Sequence, residues 1–247
     1  MTNLAISSEI HKSIFLAAIG KRLVLLMFLL FVAIEAFAQT TGGVITGSVS
    51  LPAVQSVRAT ARGNLYRSRL SPEAASGAAT QATASSGYED VIVSAHPLNF
   101  KPKVEPLQGA RIIQKNATFI PRVLPVTQGT VVEIVNADPF YHNVFTLGKG
   151  ERFNIGRRPT GDVQAQKISS VGETKLFCDI HTQMNAVIMS YDTPYFVRLQ
   201  PNGMYELKNL PDGMYEVRVY HPNFPMIKEQ VEIKSGQTVR KDFALGN

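Results

Sequence analysis

Cys178-Asp179-Ile180-His181-Thr182-Gln183-Met184 places a thiol, an imidazole and a thioether within seven residues. The flanking runs 174–178 and 186–191 are rich in β-formers, so the stretch reads as a loop between two strands. A cysteine at a strand end can point into a core while a short turn folds His181 and Met184 back over it. Cys178 is the single cysteine of the chain, so no internal disulfide can form. Taken alone, such a residue is usually a small buried hydrophobe. With His181 and Met184 in register behind it, Cys178 reads as a metal ligand.

A second imidazole extends the set. His142 lies in Asn136-Ala137-Asp138-Pro139-Phe140-Tyr141-His142-Asn143-Val144-Phe145. One cysteine, two histidines and a weakly held methionine form the donor set of blue-copper electron-transfer sites. Soft sulfur favours Cu(I), and imidazole suits both oxidation states. His142, Cys178, His181 and Met184 are therefore the expected ligands of one copper ion per chain. Met184 also reads as simple core packing, and Met189 is a rival axial donor. Met189 alternates with Val187 on a strand, however, which favours a core role for it. His96 and His221 each precede a proline and read as strand-end residues. Five histidines in all, one of them His11 near the N-terminus, are too few for the clusters of multinuclear copper oxidases. The chain accordingly reads as something other than an enzyme.

Outward from the loop the pattern is β throughout. Runs 117–126 and 130–135 are separated by Gln128-Gly129, and Pro121 and Pro125 mark the first as an edge strand. Residues 141–147 read as a further strand. Towards the N-terminus, 43–49 alternates apolar and polar residues up to Pro52, and 88–94 is a strand ended by His96-Pro97. Between them, 71–87 is mostly Ala, Ser, Gly and Thr, the composition of a flexible loop. Towards the C-terminus, Pro201-Asn202-Gly203-Met204-Tyr205 returns as Pro211-Asp212-Gly213-Met214-Tyr215. Each copy is a tight turn that launches a strand. The block 196–245 reads as a five-stranded meander whose inner face needs a cover, and 44–51 is the strand without a partner that could supply it.

The first 38 residues read as a secretory signal. Lys21-Arg22 precede the apolar run 23–34, and Ala36-Phe37-Ala38 offers small residues for cleavage after Ala38. An apolar run of about 12 residues falls short of the roughly 20 that a membrane span needs. No second run follows, so the exported chain is expected to have no membrane span. Removal of 1–38 takes away three basic and two acidic residues, and the formal charge falls from +6 to +5. That excess is scattered, and an exported chain with no basic stripe is not expected to bind nucleic acid. In an oxidising compartment an unpaired thiol calls for a use, and a metal supplies one.

Residues 119–191 resemble a cupredoxin of the plastocyanin and amicyanin kind. Phe119-Ile120-Pro121, then Gly129-Thr130-Val131-Val132-Glu133-Ile134-Val135-Asn136, match its strand, glycine turn and strand ending in Asn. His142-Asn143-Val144-Phe145 matches the segment of its first histidine ligand. Cys178, His181 and Met184 match the C-x2-H-x2-M spacing of the amicyanin group. The resemblance implies a Greek-key β-sandwich, with Asn143 hydrogen-bonded to the Cys178 loop. It also implies one-electron transfer to or from a redox partner protein in the periplasm. Thr182 and Gln183 stand where the family often carries Pro and an aromatic, so the exit surface is expected to be more polar.

Residues 196–245 are similar to a carboxypeptidase regulatory-like, transthyretin-like β-sandwich, whose usual first strand matches Gly47-Ser48-Val49 far upstream. The cupredoxin is thus expected as an insertion. Residues 39–100 would give the first strands of the flanking sandwich, 101–192 the copper domain and 193–247 the remainder. The combination resembles bacterial plastocyanin-like, methylamine-utilisation proteins. The expected fold is all-β: a cupredoxin Greek-key sandwich plus a second, smaller transthyretin-like one. Two rival functions are weighed against electron transfer. Copper storage or delivery would be favoured by a Met- or His-rich tract, and a surface interaction module by loss of a ligand. A fragment of residues 101–192 is expected to fold and bind copper, and 193–247 alone to be unstable.

Overall fold

Asn185–Tyr191 shows how this chain is layered, because it is apolar on both faces. Ala186 and Ile188 point into one core and Val187, Met189 and Tyr191 into another. A strand that faced water on one side would alternate apolar and polar residues instead. The computed structural model describes residues 42–52 and 87–246. Among the described residues every regular element is a strand, apart from one 3-10 turn at Tyr88–Asp90, and no helix is long and apolar enough to cross a membrane. The signal-like residues 1–38 and the loop-like residues 71–86 lie outside the described residues.

The first sandwich is built from eight strands: β3 (Arg111–Lys115), β4 (Thr118–Ile120), β5 (Val123–Thr127), β6 (Val131–Asn136), β7 (Phe145–Leu147), β8 (Val163–Lys167), β9 (Gly172–Phe177) and β10 (Asn185–Tyr191). One sheet runs β4-β3-β6-β8 and the other β5-β10-β9-β7. β3 lies parallel to β6, and β5 parallel to β10, so strands remote in sequence become neighbours, as in a Greek key. Ile112, Val132, Ile134, Leu176 and Ile188 fill the space between the sheets, and Cys178 and Met184 belong to the same core.

The second sandwich uses β1 (Gly43–Ser50), β2 (Ile92–Pro97), β11 (Phe196–Arg198), β12 (Met204–Leu210), β13 (Gly213–His221), β14 (Phe224–Ile233), β15 (Thr238–Arg240) and β16 (Phe243–Ala244). Its sheets run β12-β1-β15, with β16 continuing beside β1, and β11-β2-β13-β14. β1 is central: Ile45 pairs with Leu207 of antiparallel β12 and with Val239 of parallel β15. Gly47 is required here by close approach. A Cβ at that position would sit 1.8 Å from the Lys241 carbonyl oxygen, where the β15–β16 segment crosses β1. Ile45, Val93, Leu207, Tyr215, Val217 and Val219 form the core.

A third apolar cluster joins the two sandwiches. Val123, Val187, Met189 and Tyr191 of the first meet Ile92 and Tyr220 of the second, with Phe196 against them. Polar contacts flank it: Arg122 pairs with Asp90 at 2.7 Å, and the Tyr220 hydroxyl donates to Glu173 at 2.8 Å.

The strand pattern differs from expectation in specific places. The 196–245 block is no meander, because consecutive β12 and β13 enter opposite sheets, where β12 pairs with β1 and β13 with β2. The 117–126 run divides into β4 and β5, in different sheets. Residues 88–90 form a turn rather than the start of a strand, and β2 runs on through His96 and Pro97.

Candidate metal centre

Cys178 follows β9 directly and keeps its inward register. Thr174, Leu176 and Cys178, two residues apart, are all buried. The loop then turns through exposed Asp179 and Ile180. The Met184 amide donates to the His181 carbonyl at 2.9 Å, a tight turn that returns the chain inward just before β10 begins. Met184 is 1% exposed and shares the core of Cys178, whereas Met189 lies in the cluster between the sandwiches.

His142 comes from the irregular segment between β6 and β7. Its backbone is held by two hydrogen bonds with Arg158, amide to carbonyl in each direction, at 3.1 and 2.7 Å. The side chain is completely buried, and its Nδ1 lies 3.9 Å from Cys178 Sγ. Its other nitrogen, Nε2, lies 2.7 Å from Asp138 Oδ2. His181 packs against His142 with ring centroids 4.8 Å apart. Its Nδ1 is buried and has no hydrogen-bond partner. One donor atom from each of His142, Cys178 and His181 lies within 4.8 Å of the others.

This donor set fits a copper ion. An orphaned imidazole nitrogen is costly to bury unless something takes its lone pair. Here the unpartnered nitrogen belongs to a ring packed on a second imidazole, and one nitrogen of that ring lies within 4.8 Å of the Cys178 thiol, in whose core Met184 also lies. Soft sulfur with two imidazoles is the mixture that copper accepts in both oxidation states.

Asp138 borders this cluster, and the sequence did not single it out. Its carboxylate accepts the Asn116 amide at 2.6 Å, the Ala117 amide at 2.9 Å and faces His142 Nε2. Burial alone would raise its pKa, but the amide of Ala117, the His142 imidazole and the amide of Asn116 together outweigh that and lower it. Asp138 is thus held as a carboxylate. Its only signal in the sequence is an acid four residues before a histidine, within an Asp-Pro turn.

Two further expectations meet the structure differently. Asn143 is buried, but its Oδ1 makes no hydrogen bond, so that oxygen does not tie down the Cys178 loop. The surface by His181 is not simply polar. Phe140, 40% exposed, packs on the rings of both His142 and His181 at 5.1 and 5.2 Å. An aromatic ring thus reaches the His181 surface from a different loop. His96 and His221 lie apart from the cluster. His96 bonds Ser94 and Asp192, and burial, then Arg218, lower its pKa; His221 accepts the Asn223 amide.

Neither a family model nor a curated protein matches the chain. Solved structures resemble part of it. A copper-containing nitrite reductase from Thermus scotoductus SA-01 is 27% identical over 39% of this chain and 25% of its own, with a TM-score of 0.33. The match therefore spans a quarter of that enzyme. A purple cupredoxin from Nitrosopumilus maritimus is 23% identical over 33% of this chain and 99% of its own, at a TM-score of 0.31. A reduced Cu(I) amicyanin variant is 15% identical over 37% of this chain and all of its own, at 0.32.

Proposed function

We propose that the chain is a periplasmic, mononuclear type 1 copper protein that carries single electrons to or from a partner protein. The observation that carries this reading is the convergence of Cys178, His142 and His181 donor atoms within 4.8 Å, with Cys178 and His142 buried and His181 partly so. Cys178 Sγ, His142 Nδ1 and His181 Nδ1 would hold the ion, with Met184 as the weak fourth donor. Bound there, copper supplies a one-electron couple between Cu(I) and Cu(II). The chain's part is to keep those donors fixed. Cys178 is set by the register of β9, His142 by its paired bonds to Arg158 and by Asp138, and Met184 by the turn from His181. Donors that are already placed need to move little when the electron arrives or leaves. The signal-like residues 1–38 support export. Residues 101–192 would be the copper domain, with the flanking carboxypeptidase regulatory-like sandwich drawn from 39–100 and 193–247. In this reading the protein is a carrier and not an enzyme, and holds one copper per chain.

The test is the absorption spectrum of the copper-loaded protein with metal analysis. An intense visible band from Cys178 thiolate charge transfer is expected at one copper per chain. Cys178→Ser is expected to remove the band and leave the fold intact. A colourless Cu(II) form, or two tightly held coppers per chain, would overturn the reading.

A further inference from the structure

Two backbone amides and an imidazole nitrogen converge on the two oxygens of one buried side chain. Asp138 Oδ1 accepts the Asn116 amide, while Oδ2 accepts the Ala117 amide and lies 2.7 Å from His142 Nε2. The residue is 3% exposed. Its own backbone is held as well: its amide donates to Asn136 Oδ1 at 3.0 Å, and its carbonyl accepts the Thr160 hydroxyl at 2.6 Å. Asn116 and Ala117, between β3 and β4, both have left-handed backbones, with φ of 54° and 51°. Residues with a Cβ rarely adopt that conformation, least of all two in succession. Here it presents two successive amides to one carboxylate.

From this geometry we propose that Asp138 is the positioning residue of the metal centre, an inference that rests on the copper-site reading above. Its carboxylate holds the proton of His142 on Nε2 and so keeps the Nδ1 lone pair turned toward Cys178. It also places a negative charge one imidazole away from the ion, which makes His142 a stronger donor. The β3–β4 turn becomes part of the site, because it fixes the carboxylate that fixes the ligand. Only a carboxylate fits this position. An asparagine amide in either orientation would turn its NH2 toward a backbone N–H, with the other oxygen left to satisfy the remaining donors.

Asp138→Asn and Asp138→Glu in the full chain test the proposal. Chelator competition on Asp138→Asn is expected to show copper affinity lower by about 10–100-fold. Its visible band is expected to persist, and its reduction potential to rise, since loss of the charge disfavours Cu(II) more than Cu(I). Asp138→Glu, which keeps the charge, is expected to recover part of the potential shift. A merely structural residue would change stability without this split between the two variants. Wild-type affinity and potential in Asp138→Asn would overturn the proposal. Should that variant fail to fold, nitrogen-15 NMR of the wild-type protein decides. A slowly exchanging proton on His142 Nε2 supports the role, and a proton on Nδ1 instead sinks it. A wild-type chain that takes up no copper defeats both this inference and the reading beneath it. Unchanged behaviour of Asp138→Asn defeats this inference alone.

Discussion

Two methionines, five positions apart on either side of the β10 start, show how single residues divide the work. Met184 sits at the end of the His181 turn in the core that holds Cys178, and Met189 faces away from that core, toward the second sandwich. Met184→Leu is expected to keep the visible band but raise the potential, because removing a weak donor disfavours Cu(II) more than Cu(I). Met189→Leu is a near-isosteric swap in an apolar cluster, expected to cost less than about 1.5 kcal/mol and leave the spectrum unchanged. Voltammetry and a denaturant melt on both variants check this; exchanged behaviours would make Met189 the ligand. The candidate ligands were legible because sulfur and imidazole are scarce in this chain and three of them lie within one loop. Asp138 was not. Carboxylates are common in turns, and nothing in the sequence announces that the amides of Asn116 and Ala117 will meet it. Phe140 was hidden for the same reason, since its contact with His181 depends on how two loops approach.

Among the elements, the strands with a readable face were the ones anchored by burial. β1 shows alternating burial along its length, as its sequence does, while β8 (Val-Gln-Ala-Gln-Lys) buries no residue fully and gave no signal. Pairing was less legible than strand identity. The repeated Pro-x-Gly-Met-Tyr turns suggested neighbours in one meander, but the chain changes sheets between β12 and β13, and β1 enters from more than 150 residues away. That partner is legible not in turn chemistry but in the 44–51 strand and the 196–245 block each lacking one, and β1 does pair with β12, β15 and β16. Gly47 marks where that long-range pairing is tightest. The Tyr205 hydroxyl donates to the Lys241 carbonyl at 2.7 Å, and the Lys241 amide donates to Thr46 at 2.8 Å, so the crossing segment is fixed from two sides. Gly47→Ala would put a methyl 1.8 Å from that carbonyl and must displace backbone. The expected cost is at least about 1–3 kcal/mol in a denaturant melt, the range for overpacking, with the visible band of the copper-loaded protein unchanged. A variant as stable as wild type would show that the crossing segment yields freely.

At the scale of the whole molecule, the described residues from Gly42 onward form one compact unit, and β10 explains why. Its apolar run is buried on both faces, whereas the expectation that 101–192 would stand alone treats its outer face as surface. Val123, Val187, Met189 and Tyr191 are each under 7% exposed because Ile92, Phe196 and Tyr220 lie over them. Leaving Val123, Val187 and Met189 uncovered forfeits about 1.5–3 kcal/mol each, against a typical net stability of about 5–15 kcal/mol. The Arg122–Asp90 pair and the Tyr220–Glu173 bond are lost with them. A fragment of residues 101–192 is therefore expected to be less stable than the intact chain by several kcal/mol, and to self-associate through this face. Urea melts of both proteins without copper, together with light scattering of the fragment, measure the difference. Replacing Val187 by Thr and Met189 by Lys should restore a monomeric fragment, since both positions point outward from the copper core. A wild-type fragment as stable and monomeric as the full chain would mean that the second sandwich only rests on the first.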